Sequence, residues 1–242
     1  MPPERYRPTV PVDPDEIPGE DSSHYPPELS RLPPGRHGLP REFVVHNQRE
    51  RLIAGLAEAV AENGYASTTI GHITQCAAVS RRTFYEHFDS KDECFVAAYE
   101  ATLEQLGDRV DEAFKAVDDW PHAVKAGIAA MLAFFVAEPN LARLCMVEAL
   151  IAGPVVVQRY DAAIQRLVPY LEAGRVGRTP EALTVLSPTI EEALAGGTIS
   201  LISRRIIAGR TAELEELLPG IVEFVLTPYL GAEEAMVVAR GN

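Results

Sequence analysis

The sequence predicts an all-α protein in which an N-terminal three-helix unit containing a helix-turn-helix precedes a larger C-terminal helical domain. Three observations predict it. From Phe43 onward apolar residues recur at three- and four-residue spacing, the period of a helix with one buried face, and no run alternates apolar with polar residues as a strand would. Capping residues (Thr68 or Thr69, Ser80, Asp89-Ser90, Thr211) stand before successive periodic runs, and Asn63-Gly64 and Gly209 close two of them. The 242 residues, 47% of them apolar, are enough to bury one large or two modest cores.

Residues 1–40 hold eleven of the nineteen prolines and few large apolar side chains, so they read as an extended arm. Arg31, Arg36, His37 and Arg41 near its end suit a minor-groove contact; a loosely packed leader is the simpler reading. The first firm helix spans Phe43 to Asn63, with Val45, Leu52, Ile53, Leu56, Ala59 and Val60 in one stripe and Arg49 and Arg51 free to reach phosphates or simply solvated.

Thr68 to Lys91, TTIGHITQCAAVSRRTFYEHFDSK, reads as two short helices around a tight turn and the start of a third. Ile70, Ile73 and Ala77 share one face, with Thr68 or Thr69 as cap. Ser80 caps the second helix, whose Phe84 and Phe88 point inward and whose other face offers Arg81, Arg82, Thr83, Tyr85 and His87. Such a face suits the major groove of double-stranded DNA, with arginine on guanine edges and Tyr85 and His87 nearer the phosphates. Lys91 is expected to grip a phosphate together with the N-terminus of the next helix.

That helix is expected to run from Lys91 to about Val117, with Phe95, Tyr99, Thr102, Leu106, Val110 and Phe114 inward. At that length it is a lever between the two domains. Pro121–Glu138, Asn140–Ile151 and Pro154–Leu171 are too apolar for single amphipathic stripes and read as the interior of the second domain. Trp120, Met131, Phe134, Phe135, Arg143, Met146, Glu148 and Tyr160 are the candidate ligand contacts, against the plainer reading of a core. Arg143 and Glu148, five apart, are not expected to face each other on a helix.

Residues 172–187 read as a loop with a short helix. Pro188 to Ala208 and a last long helix capped by Thr211 follow. Ala193, Gly196, Gly197 and Ser200 on the first, and Leu217, Ile221 and Val225 on the second, are the candidate dimer interface.

The net charge of −13 argues against a general nucleic-acid-coating protein. Its distribution is uneven: residues 1–91 carry 10 Lys+Arg against 13 Asp+Glu, and residues 92–242 carry 12 against 22. Cys76, Cys94 and Cys145 are scattered in apolar contexts, as expected for free thiols in a reducing cytoplasm. The apolar run Ala126–Ala137 is too short to span a bilayer, so no membrane partner is expected. His72 and Cys76 stand i, i+4 but lack further ligands at metal-site spacing, so neither metal nor cofactor is expected. No G-x-S-x-G turn is present, and no catalytic role is assigned. A helical protein-interaction module is the alternative to DNA binding.

Gly64-Tyr65, Thr69-Ile70, Ile73, Ala77, Val79-Ser80, Thr83, Phe84-Tyr85, His87-Phe88 and Ser90-Lys91 together resemble the DNA-binding domain of the TetR family of bacterial transcriptional regulators, over Asn47 to Ala98. Two positions depart from the family pattern: Thr74 replaces alanine and Ala78 replaces a turn glycine. The resemblance implies an all-helical homodimer with residues 1–40 as an arm, 41–91 as the DNA-binding domain and 92–242 as the ligand-binding and dimerisation domain. It also implies that the last two long helices form a four-helix bundle with those of a second copy. The function it implies is repression from a near-palindromic operator, relieved by a small apolar or amphipathic effector, with a regulator not controlled by a small molecule as the alternative.

Overall fold

The computed structural model describes residues 41–176 and 186–241; the predicted arm at 1–40 and most of the predicted loop at 172–187 lie outside them. The described residues are helical, with no strand among them. Helix α1 (Arg41–Ser67) buries Leu52, Ile53, Leu56, Ala59 and Val60 as its periodicity predicts. Val45, expected in the same stripe, is instead 45% exposed: two turns before Leu52 the inward positions are Phe43, Val44, Asn47 and Gln48. Gly64 breaks α1 with φ 72°, a conformation that costs any other residue, so the chain turns where Asn63-Gly64 predicts.

Helices α2 (Ile70–Cys76) and α3 (Arg81–His87) form the helix-turn-helix. α4 (Lys91–Lys115) then runs for about 38 Å. It buries Phe95, Tyr99, Thr102, Leu106 and Val110 on one face, as predicted. Cys94 and Cys145 are free and enclosed, and burial pushes both thiols up to about 12.

α5 (Trp120–Ala137) has the length and apolarity of a membrane span, but it is a core helix, packing against α4 and the C-terminal helices with Met131, Leu132, Phe134 and Phe135 enclosed. The predicted helix Asn140–Ile151 is α6 (Pro139–Met146) plus a 3-10 turn, Glu148–Leu150, because the chain departs from helical geometry at Val147. Likewise Pro154–Leu171 is α7 (Pro154–Gln165) and α8 (Val168–Glu172): Pro169 offers no N–H and its ring excludes the preceding turn.

α9 (Ile190–Ile207) ends at Gly209, φ 72°, as predicted. Thr211 does not cap a long helix. Residues Thr211–Leu217 are 3-10, and α10 (Leu218–Leu230) starts only with Pro219 in its first turn, where the missing N–H is harmless. Gly231 turns the chain into α11 (Ala232–Arg240), which packs back on α10. Glu191 ties these parts together. It accepts from Arg175 Nε at 2.6 Å and Tyr229 Oη at 2.8 Å. Burial alone would raise its carboxyl, but these two bonds together outweigh it and hold the group below the ordinary glutamate range.

Candidate nucleic-acid interface and interior cavity

The two short helices are held by their caps. Thr69 Oγ1 accepts from the His72 amide, and His72 Nδ1 accepts back from the Thr69 amide at 3.4 Å. Ser80 Oγ accepts from the Thr83 amide at 3.0 Å. Phe84 and Phe88 are inward, their rings tilted against each other at 5.8 Å, which leaves Arg81, Arg82, Tyr85 and Glu86 facing out. Arg81 has no ion-pair partner among the described residues and lies over Gly71 beside Thr69. Arg82 reaches Glu86 at 3.0 Å, an exposed pair worth at most about 1 kcal/mol and readily exchanged for a base or phosphate. Ser80 and Thr83 share a hydroxyl hydrogen bond at 2.9 Å, so one O–H of the two remains for an outside acceptor.

On the sequence Thr68, Thr69 and Ser80 are, besides caps, candidate DNA contacts, and three of the expected DNA contacts, Thr68, Lys91 and His87, stand elsewhere. Thr68 is buried, its hydroxyl donating to the carbonyls of Ala59 and Gly64, so it seals the end of α1. Lys91 is not a free cation: its ammonium donates to Tyr65 O at 2.8 Å and Thr68 O at 3.0 Å and sits 4.2 Å from the centre of the Tyr65 ring. Carbonyls left open by the Gly64 break take its donors before any phosphate can. His87 is half-buried against Gln48 Oε1 at 3.3 Å rather than turned fully outward; burial lowers its pKa, with Glu86 opposing and Arg49 adding to the shift.

Arg51, expected to reach phosphate or stand solvated, clamps the turn, donating to Ala77 O at 2.7 Å and Ala78 O at 2.8 Å. Ala78 itself has φ 50°, the only non-glycine residue with positive φ among those described. Ala78→Gly is expected to raise stability by about 0.5–1 kcal/mol, read as a higher midpoint in urea; an unchanged or lower midpoint would show the turn is unstrained.

The second domain encloses three adjoining cavities between α4, α5, α7 and α9. The first holds about 470 Å³ of empty space, open solvent at its mouth included, and is lined by residues such as Phe114, Ile128, Met131, Tyr170, Thr198 and Val225. Met131 and Leu167 border all three, and Met146 and Tyr160 line the third. Of the candidate ligand contacts, Met131, Met146 and Tyr160 line these cavities. Trp120, Phe134, Phe135, Arg143 and Glu148 line none of the three. Trp120 donates from Nε1 to Tyr170 O at 2.8 Å and covers Gly174, while Phe134 and Phe135 are core. Leu167 and Thr198 were not singled out from sequence.

Glu148, 2% exposed, faces the N-terminal unit. Its Oε1 lies 3.0 Å from Arg143 and its Oε2 accepts from the Tyr65 amide at 2.9 Å. The break at Val147 brings Glu148 back to Arg143, which an unbroken helix would hold about 140° away. Tyr65 thereby becomes a junction. Its amide meets Glu148, its carbonyl Lys91, its hydroxyl Asp92 on α4, and its ring Phe95 at 4.9 Å.

On α9, Ala193 and Ser200 are exposed and Gly196 and Gly197 half-exposed, flanked by outward Leu201 and Ile207 and by Phe224 of α10. Leu217 is half-buried. Ile221 and Val225, expected on this face, are 1% and 2% exposed and belong to the core of one chain; Val225 lines the cavity.

Residues 52–98 match the domain family described as bacterial regulatory proteins, tetR family. The nucleoid occlusion factor SlmA of Vibrio cholerae is 30% identical over 105 residues, 43% of this chain and 54% of that protein. The transcriptional activator FasR of Mycolicibacterium smegmatis is 24% identical over 127 residues, 52% of this chain and 56% of that one. The chain thus spans about half the length of these relatives. Among solved structures, the transcriptional regulator FadR of Bacillus subtilis in complex with stearoyl-CoA superposes with a TM-score of 0.64 at 17% identity, over 75% of this chain and 98% of that one.

Proposed function

The chain carries the DNA-binding domain of the TetR family, and from that premise we propose that it is a cytoplasmic, homodimeric, sequence-specific transcription regulator: a repressor that leaves a near-palindromic operator when a small apolar or amphipathic molecule fills the cavity. One observation carries the reading. α4 follows α3 after three residues, bonded through Lys91 to the end of α1, and its far half lines the cavity with Val110 and Phe114. An occupant that displaces this half favours a conformer with wrongly spaced recognition helices. The stearoyl-CoA held by a protein of the same fold supports a hydrocarbon chain as the body of the effector. The exposed stripe of Ala193, Gly196, Gly197, Ser200 and Ile207 supports pairing with a second copy, which places two α3 helices about one DNA turn apart.

The test is fluorescence anisotropy against the DNA upstream of the protein's own gene, beside a scrambled duplex. The expected result is two subunits per site and at least about a thousandfold preference. Arg81→Ala is expected to weaken operator binding by about 1–3 kcal/mol and scramble binding far less. Equal weak binding to both duplexes would overturn the reading and favour a helical protein-interaction module. An activator would bind the operator alike; fusing the operator region to a reporter and deleting the gene distinguishes the two, since loss of a repressor raises expression.

A further inference from the structure

Thr198 on α9 is 4% exposed, lines the first cavity beside Phe114 and Ile128, and its Oγ1 has no hydrogen-bond partner among the described residues. Threonines elsewhere in these helices do otherwise. Thr102 donates to Ala98 O at 2.7 Å, Thr227 to Glu223 O at 2.6 Å and Thr74 to Gly71 O at 3.1 Å, each folding its hydroxyl onto its own helix. A buried hydroxyl left without a partner opposes folding, and native chains keep few of them without a use.

The rest of that wall is apolar apart from the Tyr170 hydroxyl, which is already donated to Asp111. No charged side chain lines this cavity, so an ion placed there would lose its hydration with nothing in return. We propose that Thr198 is the hydrogen-bonding contact of the effector. The effector is accordingly a mostly hydrocarbon molecule that places one neutral oxygen, a ketone, ester, thioester or hydroxyl, against Thr198. This rests on the reading of the cavity as the effector site. It adds that the Thr198 wall selects a neutral oxygenated group over both a bare hydrocarbon and a carboxylate. Any charged portion of the effector stays at the mouth of the neighbouring cavity, where Arg166 stands.

The chain's single tryptophan makes this measurable, since Trp120 is bonded to the backbone of Tyr170, a lining residue. Butylbenzene and butyrophenone differ by one CH₂ replaced with a carbonyl, and both can be titrated by Trp120 fluorescence into the wild-type protein, Thr198→Val and Thr198→Ser. Each affinity is scaled by that probe's partition between water and alkane. On this scale the wild type is expected to favour the ketone about tenfold. T198V, which keeps the shape, is expected to lose that preference while holding butylbenzene at least as well; T198S is expected to retain it. Equal scaled affinities in the wild type, or a ketone preference that survives in T198V, would overturn the role of Thr198 and leave the cavity as the effector site. If neither probe binds the wild type, the cavity reading itself falls and this inference with it. If T198V does not fold, Thr198→Ala, which also removes the hydroxyl, serves in its place: loss of the ketone preference supports the role of Thr198 and its survival overturns it.

Discussion

Glu148→Ala is expected to lower stability by about 2–4 kcal/mol, and the melting temperature by roughly 5–12 °C for a unit of this size. The carboxylate is enclosed, and its two oxygens have different partners: the Arg143 guanidinium and the Tyr65 amide. Truncation leaves the amide buried and unbonded beside the Gly64 break. Arg143 is spared part of the penalty, because its side chain is 42% exposed and reaches water. That holds the estimate below the top of the range for a fully buried pair. Glu148→Gln keeps an acceptor for Tyr65 but not the charge and is expected to cost about half as much. The readouts are thermal unfolding and hydrogen exchange at the Tyr65 amide, which should quicken in E148A more than in E148Q. Unchanged exchange at Tyr65 in E148A would show that the junction does not hold α1.

The same substitution bears on regulation. Met146, two residues before Glu148, lines the third cavity and receives Ser203 Oγ at 3.7 Å. A molecule pressing on Met146 therefore acts on the turn that carries Glu148. Through Tyr65 that turn reaches both the end of α1 and the start of α4. This is a contiguous path of packed and bonded groups between the cavity and the junction of α1 with α4, beside the longer lever of α4 itself.

Much of the N-terminal unit was legible because its signals are local. Caps at Thr69, Ser80 and Ser90, the break at Gly64 and the inward pair Phe84 and Phe88 depend on residues within one or two turns. The strain at Ala78 was legible only through the resemblance, which has a turn glycine at that position. What escaped depends on distant partners. A lysine or arginine reads alike in sequence whether it is solvated, faces phosphate or donates to open carbonyls. Lys91 and Arg51 do the last because the Gly64 break and the α2 terminus expose carbonyls within reach. Periodicity showed Ile221 and Val225 to be apolar on one side of a helix, but not that the core of the same chain, rather than a second copy, takes that side. Arg143 and Glu148 meet only because the helix fails at Val147, which none of the nearby residue types announces.

Gly55→Ala is expected to cost about 3 kcal/mol and to abolish operator binding, although the residue lies in the middle of α1, where alanine is intrinsically the better helix former by about 1 kcal/mol. A Cβ there would stand 2.7 Å from the Ala77 nitrogen, 2.8 Å from the Ala77 Cβ and 2.9 Å from the Ile73 carbonyl oxygen. None of these is the end of a side chain that can swing aside, so α1 must back away from the C-terminal turn of α2. That movement also pulls Arg51 from the carbonyls of Ala77 and Ala78, opening the turn that aims α3. DNA affinity should therefore fall further than the stability loss alone explains. Gly220→Ala is the matched control, since a Cβ at that helical position meets nothing within 4 Å; it should be neutral or slightly stabilising. Urea unfolding and operator anisotropy on both variants decide the point. Wild-type stability and affinity in G55A would mean that α1 and the helix-turn-helix pack more loosely than these distances allow.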